Sequence, residues 1–214
     1  MNNTIQTLAI SAIPILFAIT LHEAAHGYVA RMFGDNTAWK LGRISLNPLR
    51  HIDPMGTILL PALTYLASGF MFGWAKPVPV NFGNLRNPKR DMLWVALAGP
   101  GANLLMALCW ALLLKIVLGT AEFHYSEALQ QMAIAGISIN GMFMMLNLLP
   151  LLPLDGGRIL VSLLPQKLAY SFAQTERYGM WILIALLLTH VLDAILRPLI
   201  GVYLDAITTL FGFN

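Results

Sequence analysis

The chain has 214 residues, 57% of them hydrophobic and 11% charged, with a formal net charge of +3. A soluble domain carries about a quarter charged residues, so this composition excludes an ordinary water-soluble enzyme and fits an integral membrane protein with a handful of spans. The basic residues cluster at the ends of apolar runs, as topology signals rather than a nucleic-acid surface, and the single Cys109 excludes a disulfide framework.

The first span is predicted over residues 5–33, an apolar run with no Lys or Arg before it, which argues for a permanent span rather than a cleaved leader. Its second half carries His22-Glu23-Ala24-Ala25-His26. Residues 36–55 are polar and turn-rich, and the weak alternation of 41–46 predicts a short strand. Residues 56–72 are apolar but short, and are interrupted by Pro61 and Gly69. Pro77 and Pro79 keep 72–81 from helix, because each disfavours a helical residue before it. Further spans are predicted over 92–118, 132–149 and 178–196, with 198–213 either a short span or an interfacial helix.

Charge constrains the topology. Both 31–50 and 76–90 are basic and belong on the cytoplasmic side, so the segment between them enters and leaves on one face. Such a re-entrant element is tolerated only where it is buried in protein or lines a water-filled cavity. The 119–130 loop then lies outside and 157–177 inside, with the N-terminus outside. The predicted fold is an all-α polytopic membrane protein of four to six transmembrane helices, with a short β or re-entrant element after the first.

His22 and His26, one turn apart, share a helix face with a carboxylate beside them. That spacing is a zinc-site signature, with Glu23 as general base. The bland alternative is a snorkelling polar patch at a helix end. Ionisable groups within a span are costly, however, and usually functional. A third ligand is needed: Asp155 is the stronger candidate and His51, beside Asp53, the weaker. Asp155-Gly156 also reads as a plain helix breaker, and Asn140 and Asn147, on one helix face, as interhelical glue. A structural zinc closed by His51 or Asp53, or an ion transporter, are the competing readings. The latter predicts polar groups at several depths, whereas here they gather at one end.

Five segments in order resemble the site-2 proteases, intramembrane zinc metalloproteases, and specifically the small group without a PDZ domain. They are the HExxH at 22–26, GDNTAWKLGRISLNPLRHIDPMGTILLP at 34–61, FGWAKPVPVN at 72–81, AGPGAN at 98–103 and NLLPLLPLDGGR at 147–158. The resemblance implies one integral-membrane metalloprotease domain over 1–214, with core motifs at 10–161 and C-terminal helices at 178–214. It implies one Zn2+ per chain held by His22, His26 and Asp155, and Glu23 as catalytic base. Asn147 and Asn103 fall on the asparagines that would hold the substrate peptide or its oxyanion. The implied partners are a transmembrane protein or peptide substrate and the lipid bilayer, not nucleic acid; a homo-oligomer or regulatory membrane partner is left open. The compact form points to a prokaryotic cytoplasmic membrane, with the site near the cytoplasmic side.

Overall fold

The computed structural model describes residues 2–59, 76–120 and 126–213. Among them, four helices are long and apolar enough to cross a membrane: Ile10–Met32 within α1 (Asn2–Met32), α3 (Pro88–Gly119), α4 (Ser126–Asn147) and α8 (Val191–Phe211). Between α1 and α3 lie α2 (Thr37–Lys40), 3-10 turns at Pro48–His51 and Phe82–Asn84, and a π turn at Pro54–Leu59. Shorter helices α5 (Asp155–Leu163), α6 (Gln166–Ala173) and α7 (Glu176–Leu188) connect α4 to α8.

Helix α3 packs along α4, and α1 lies against both. Lipid tails supply no hydrophobic drive between helices, so close backbone approach through small residues takes its place. The contact face carries Ala107, Ala111 and Ala133, each fully buried. Trp110 packs against Gly136, and the Tyr203 ring of α8 fills the notch at Gly141. There the Tyr203 hydroxyl donates to the Ile137 carbonyl at 2.8 Å. Leu192 and Leu196 meet Leu149, while Ile207 packs with the cluster containing Ala133, so α8 runs antiparallel to α4.

Two expectations change, and a third falls largely outside the described residues. No strand forms among the described residues. At 41–46 the chain instead closes the end of α2: Gly42 takes φ 62°, and Gly42 and Arg43 donate to the Trp39 and Ala38 carbonyls. Of the re-entrant stretch, 60–72 lies outside the described residues, and 56–59 finish a π turn whose first N–H groups, Met55 and Gly56, are capped by Asp53. The span predicted at 178–196 is two helices. His190 sits in the left-handed region (φ 59°), a conformation histidine tolerates better than most residues, and it breaks the helix between α7 and α8. With 13 residues, α7 is about 20 Å long, short of the roughly 30 Å hydrocarbon core. The crossing falls to α8, which absorbs the undecided 198–213 segment.

Candidate metal centre

Helix α1 brings His22 and His26 together by spacing alone; a special feature of α3 gives them room. Gly99 faces them, and a Cβ there would press into His26 Nε2 and come within 2.6 Å of His22 Nε2. Asp155 arrives differently. It opens α5, whose second and third residues, Gly156 and Gly157, pack against the backbone of Leu148, Leu149 and Leu151; a Cβ at either would collide with it. The Asp-Gly-Gly run is thus the first turn of a helix seated on the end of α4, not the breaker its composition allows.

The three side chains converge. Asp155 Oδ2 lies 3.3 Å from both His22 Nε2 and His26 Nε2, which are 3.1 Å apart. Among the described residues these form the one cluster of three or more His, Cys, Asp or Glu with metal-ligand spacing. Their remaining polar atoms fix what the converging atoms are. His26 Nδ1 lies 2.7 Å from the Val95 carbonyl, which can only accept, so the ring carries its proton on Nδ1. His22 Nδ1 lies 2.6 Å from Asn103 Oδ1. Neutral Nε2 of each ring is therefore a lone pair aimed at the other and at a buried carboxylate oxygen with no hydrogen-bond donor. Three electron-rich atoms this close repel unless a cation lies among them, and the donor set of two imidazoles and a carboxylate suits zinc. Asp155 completes a metal's donor set as a carboxylate, since a ligating carboxyl must be ionised.

The triad floors a cleft of about 440 Å³. Glu23 opens onto it, and its Oε2 accepts from the Val78 N–H at 2.7 Å. Between Pro77 and Pro79, which have no N–H, Val78 is the sole backbone donor of the triplet. The cleft is otherwise lined by Val78, Val80, Phe82, Val95, Ala96, Pro153 and Met180, with Asn147 and Arg158 as polar groups. Asn147 donates from Nδ2 to the Phe143 carbonyl at 3.0 Å. Asn103 is elsewhere: fully buried behind His22 and absent from the cleft wall. His51 is not part of the cluster; its Nε2 lies 2.9 Å from the Ser45 carbonyl. The closed structural site that His51 or Asp53 would have completed does not form. Neither Val78 nor Arg158 was expected at the cleft; the proline spacing around Val78 was the one available signal.

Such a site in a bundle of membrane-length helices defines a class, the zinc metalloproteases of membranes, and the comparisons agree with it. The chain is 38% identical over 203 residues to the "Putative zinc metalloprotease YwhC" of Bacillus subtilis, covering 94% of this chain and 90% of that one. It is 31% identical over 183 residues to the "Putative zinc metalloprotease Rip2" of Mycolicibacterium smegmatis, covering 83% of this chain and 66% of that one. It is 25% identical over 170 residues to the "Zinc metalloprotease MJ0392" of Methanocaldococcus jannaschii, covering 79% of this chain and 38% of that one. No family model and no solved structure matches it. The chain belongs to this site-2-protease-like family of zinc metalloproteases.

Proposed function

We propose that the protein is an intramembrane zinc metalloprotease of the site-2 type, cutting peptide bonds within or beside transmembrane segments of other proteins. The observation that carries this reading is the meeting of His22 Nε2, His26 Nε2 and Asp155 Oδ2 within 3.3 Å, inside a bundle of membrane-length helices. One zinc ion fits there, held by His22, His26 and Asp155; when bound it supplies the Lewis acidity that makes water nucleophilic near neutral pH. Three protein ligands leave a position open, as a catalytic site requires.

Glu23 is the general base. Its Oε2 is fixed by the Val78 N–H, which leaves Oε1 to take the water proton and pass it to the leaving amine. Asn147, on the cleft wall, is placed to hold the peptide or its oxyanion with the second amide hydrogen that Phe143 does not use. The apolar wall of Val80, Phe82, Val95 and Met180 suits an unwound membrane segment. Lys40, Arg43, Arg50, Lys76, Arg86 and Lys89 gather in the segments at the site's end of the bundle, which favours the cytoplasmic side of a prokaryotic membrane.

The test is a mass-spectrometric map of new membrane-protein termini in cells expressing the wild type or Glu23→Gln. The variant should keep its zinc and lose about 10²–10⁴-fold in cleavage, with termini inside or beside spans vanishing. Identical maps from two folded, zinc-loaded proteins would refute the protease. Loss of zinc in the variant would refute the division of roles between Glu23 and the ligands.

A further inference from the structure

His22 can ligate through Nε2 only while its proton sits on Nδ1, and the atom facing Nδ1 decides that. A carbonyl can only accept, so His26 is locked by the Val95 backbone. His22 instead faces the Asn103 side-chain amide, one end of which accepts and the other donates. Turned over, that amide would offer an N–H to Nδ1, drive the proton to Nε2 and remove the ligand lone pair. Which end faces His22 is set by the two acceptors behind Asn103, of which Asn140 is the nearer. Asn103 Nδ2 donates to Asn140 Oδ1 at 3.0 Å and to the Ala18 carbonyl at 3.3 Å. Asn140 is itself oriented by α4, because its Nδ2 donates to the Gly136 carbonyl at 2.8 Å. Both asparagines are fully buried, so no water can substitute for a missing partner.

We infer that Asn140 is a positioning residue for the metal site, setting the proton position of His22 through Asn103. The chain of polarity runs in one direction: Gly136 carbonyl, Asn140 amide, Asn103 amide, His22 imidazole. Each member is satisfied only in that orientation, which is what makes a buried polar network specific. Outer partners of ligating imidazoles are worth about 10–100-fold in metal affinity. Asn140 reaches that effect without touching a ligand or the cleft.

This inference rests on the proposed zinc site, and the experiment separates the two. Zinc dissociation constants are measured by chelator competition on the purified full-length protein in detergent, for the wild type, Asn140→Leu and the double variant Asn103→Asp/Asn140→Leu. Asn140→Leu removes the nearer of the two acceptors that orient Asn103, leaves only the longer bond to the Ala18 carbonyl, keeps the volume, and should weaken zinc about 10-fold. A carboxylate at 103 accepts the His22 Nδ1 proton with either oxygen and needs no orienting, so the double variant should recover most of the loss. Wild-type affinity in Asn140→Leu would overturn the relay. So would a loss that persists unchanged in the double variant, the mark of a packing defect. No zinc binding by the wild type would instead overturn the zinc site itself.

Discussion

The floor of the cleft, where His22, His26 and Asp155 meet, is buried and held by the long helices α1 and α3 and by the first turn of α5 seated on the end of α4, whereas its rim is partly exposed and held between short elements. On the floor, the ligand rings rest on Val95 and Asn103 of α3, and Asn103 rests on α4. At the rim, residues 76–84 are tied to the end of α1 through Asp35, and Arg158 of α5 reaches Glu176 of α7 at 2.9 Å and the Phe82 ring at 5.0 Å. The floor is fixed by buried hydrogen bonds and helix packing, while the rim is held by a few part-exposed polar contacts. On the proposed function, the first suits chemistry that needs fixed ligand atoms and the second suits entry of a substrate.

The largest predicted effect tests the rigidity of the floor. Gly99→Ala places a methyl group against both ligand rings, while Gly101, two residues on in the same helix, has nothing within 4 Å of where its Cβ would be. The Gly99 variant should lose zinc and at least about 100-fold of the activity, at a stability cost of about 1–3 kcal/mol from overpacking. Gly101→Ala should behave as wild type. Zinc content and melting of the two variants side by side make the comparison. A zinc-loaded Gly99→Ala protein would mean that the floor yields.

A smaller effect is expected where the rim is anchored. Asp35 is fully buried and accepts from the Thr37 N–H and hydroxyl, the Asn81 N–H at 2.7 Å and the Asn84 side chain at 3.1 Å. Asp35→Ala leaves those donors short of an acceptor, for a loss on the order of 3 kcal/mol. The zinc should stay, because no ligand rests on this network. Burial alone would raise the Asp35 carboxyl, but the Thr37 hydroxyl and the other donors outweigh it and hold it below its ordinary 3.8. Its stabilisation is therefore present above that pH and drains away as the pH falls through the lowered native value. Thermal melts of the wild type between pH 6 and pH 2, as ordinary buffers of about those values, should show this acid-side loss, and Asp35→Ala should show less of it.

Sequence reading reached the floor more readily than the rim, for physical reasons. The ligand histidines are four apart on one helix, so periodicity alone places them together, and Asp155 lies at the same end of a neighbouring apolar run. The asparagine pair could not be read this way: residues 103 and 140 lie on different helices, and only packing of α3 on α4 brings their amides to 3.0 Å. Asn103, expected at the substrate, accordingly lies buried behind His22. At the rim, the break at His190 carries no glycine or proline to announce it, so an apolar run that the structure splits at a left-handed residue reads as one span. The alternation at 41–46 was equally misleading, because the side chain of Arg43, not a backbone ladder, joins that turn to the Lys76 and Pro77 carbonyls.

The smallest predicted effect lies at the rim itself. The Arg158–Glu176 pair bridges α5 and α7 at the cleft mouth, with side chains 29% and 44% exposed. Exposed pairs contribute about 0.2–1 kcal/mol, so Glu176→Gln should change global stability by no more than that. If the pair serves to close the mouth, the change should fall on KM rather than kcat, within about fivefold, and should shrink as added salt screens the wild-type pair. Kinetics of a peptide substrate in detergent at low and high salt would measure it. A kcat loss approaching that of Gly99→Ala would place Arg158 among the groups that act on the reacting peptide. The division between a fixed floor and a yielding rim would then have to be drawn further out, beyond α5.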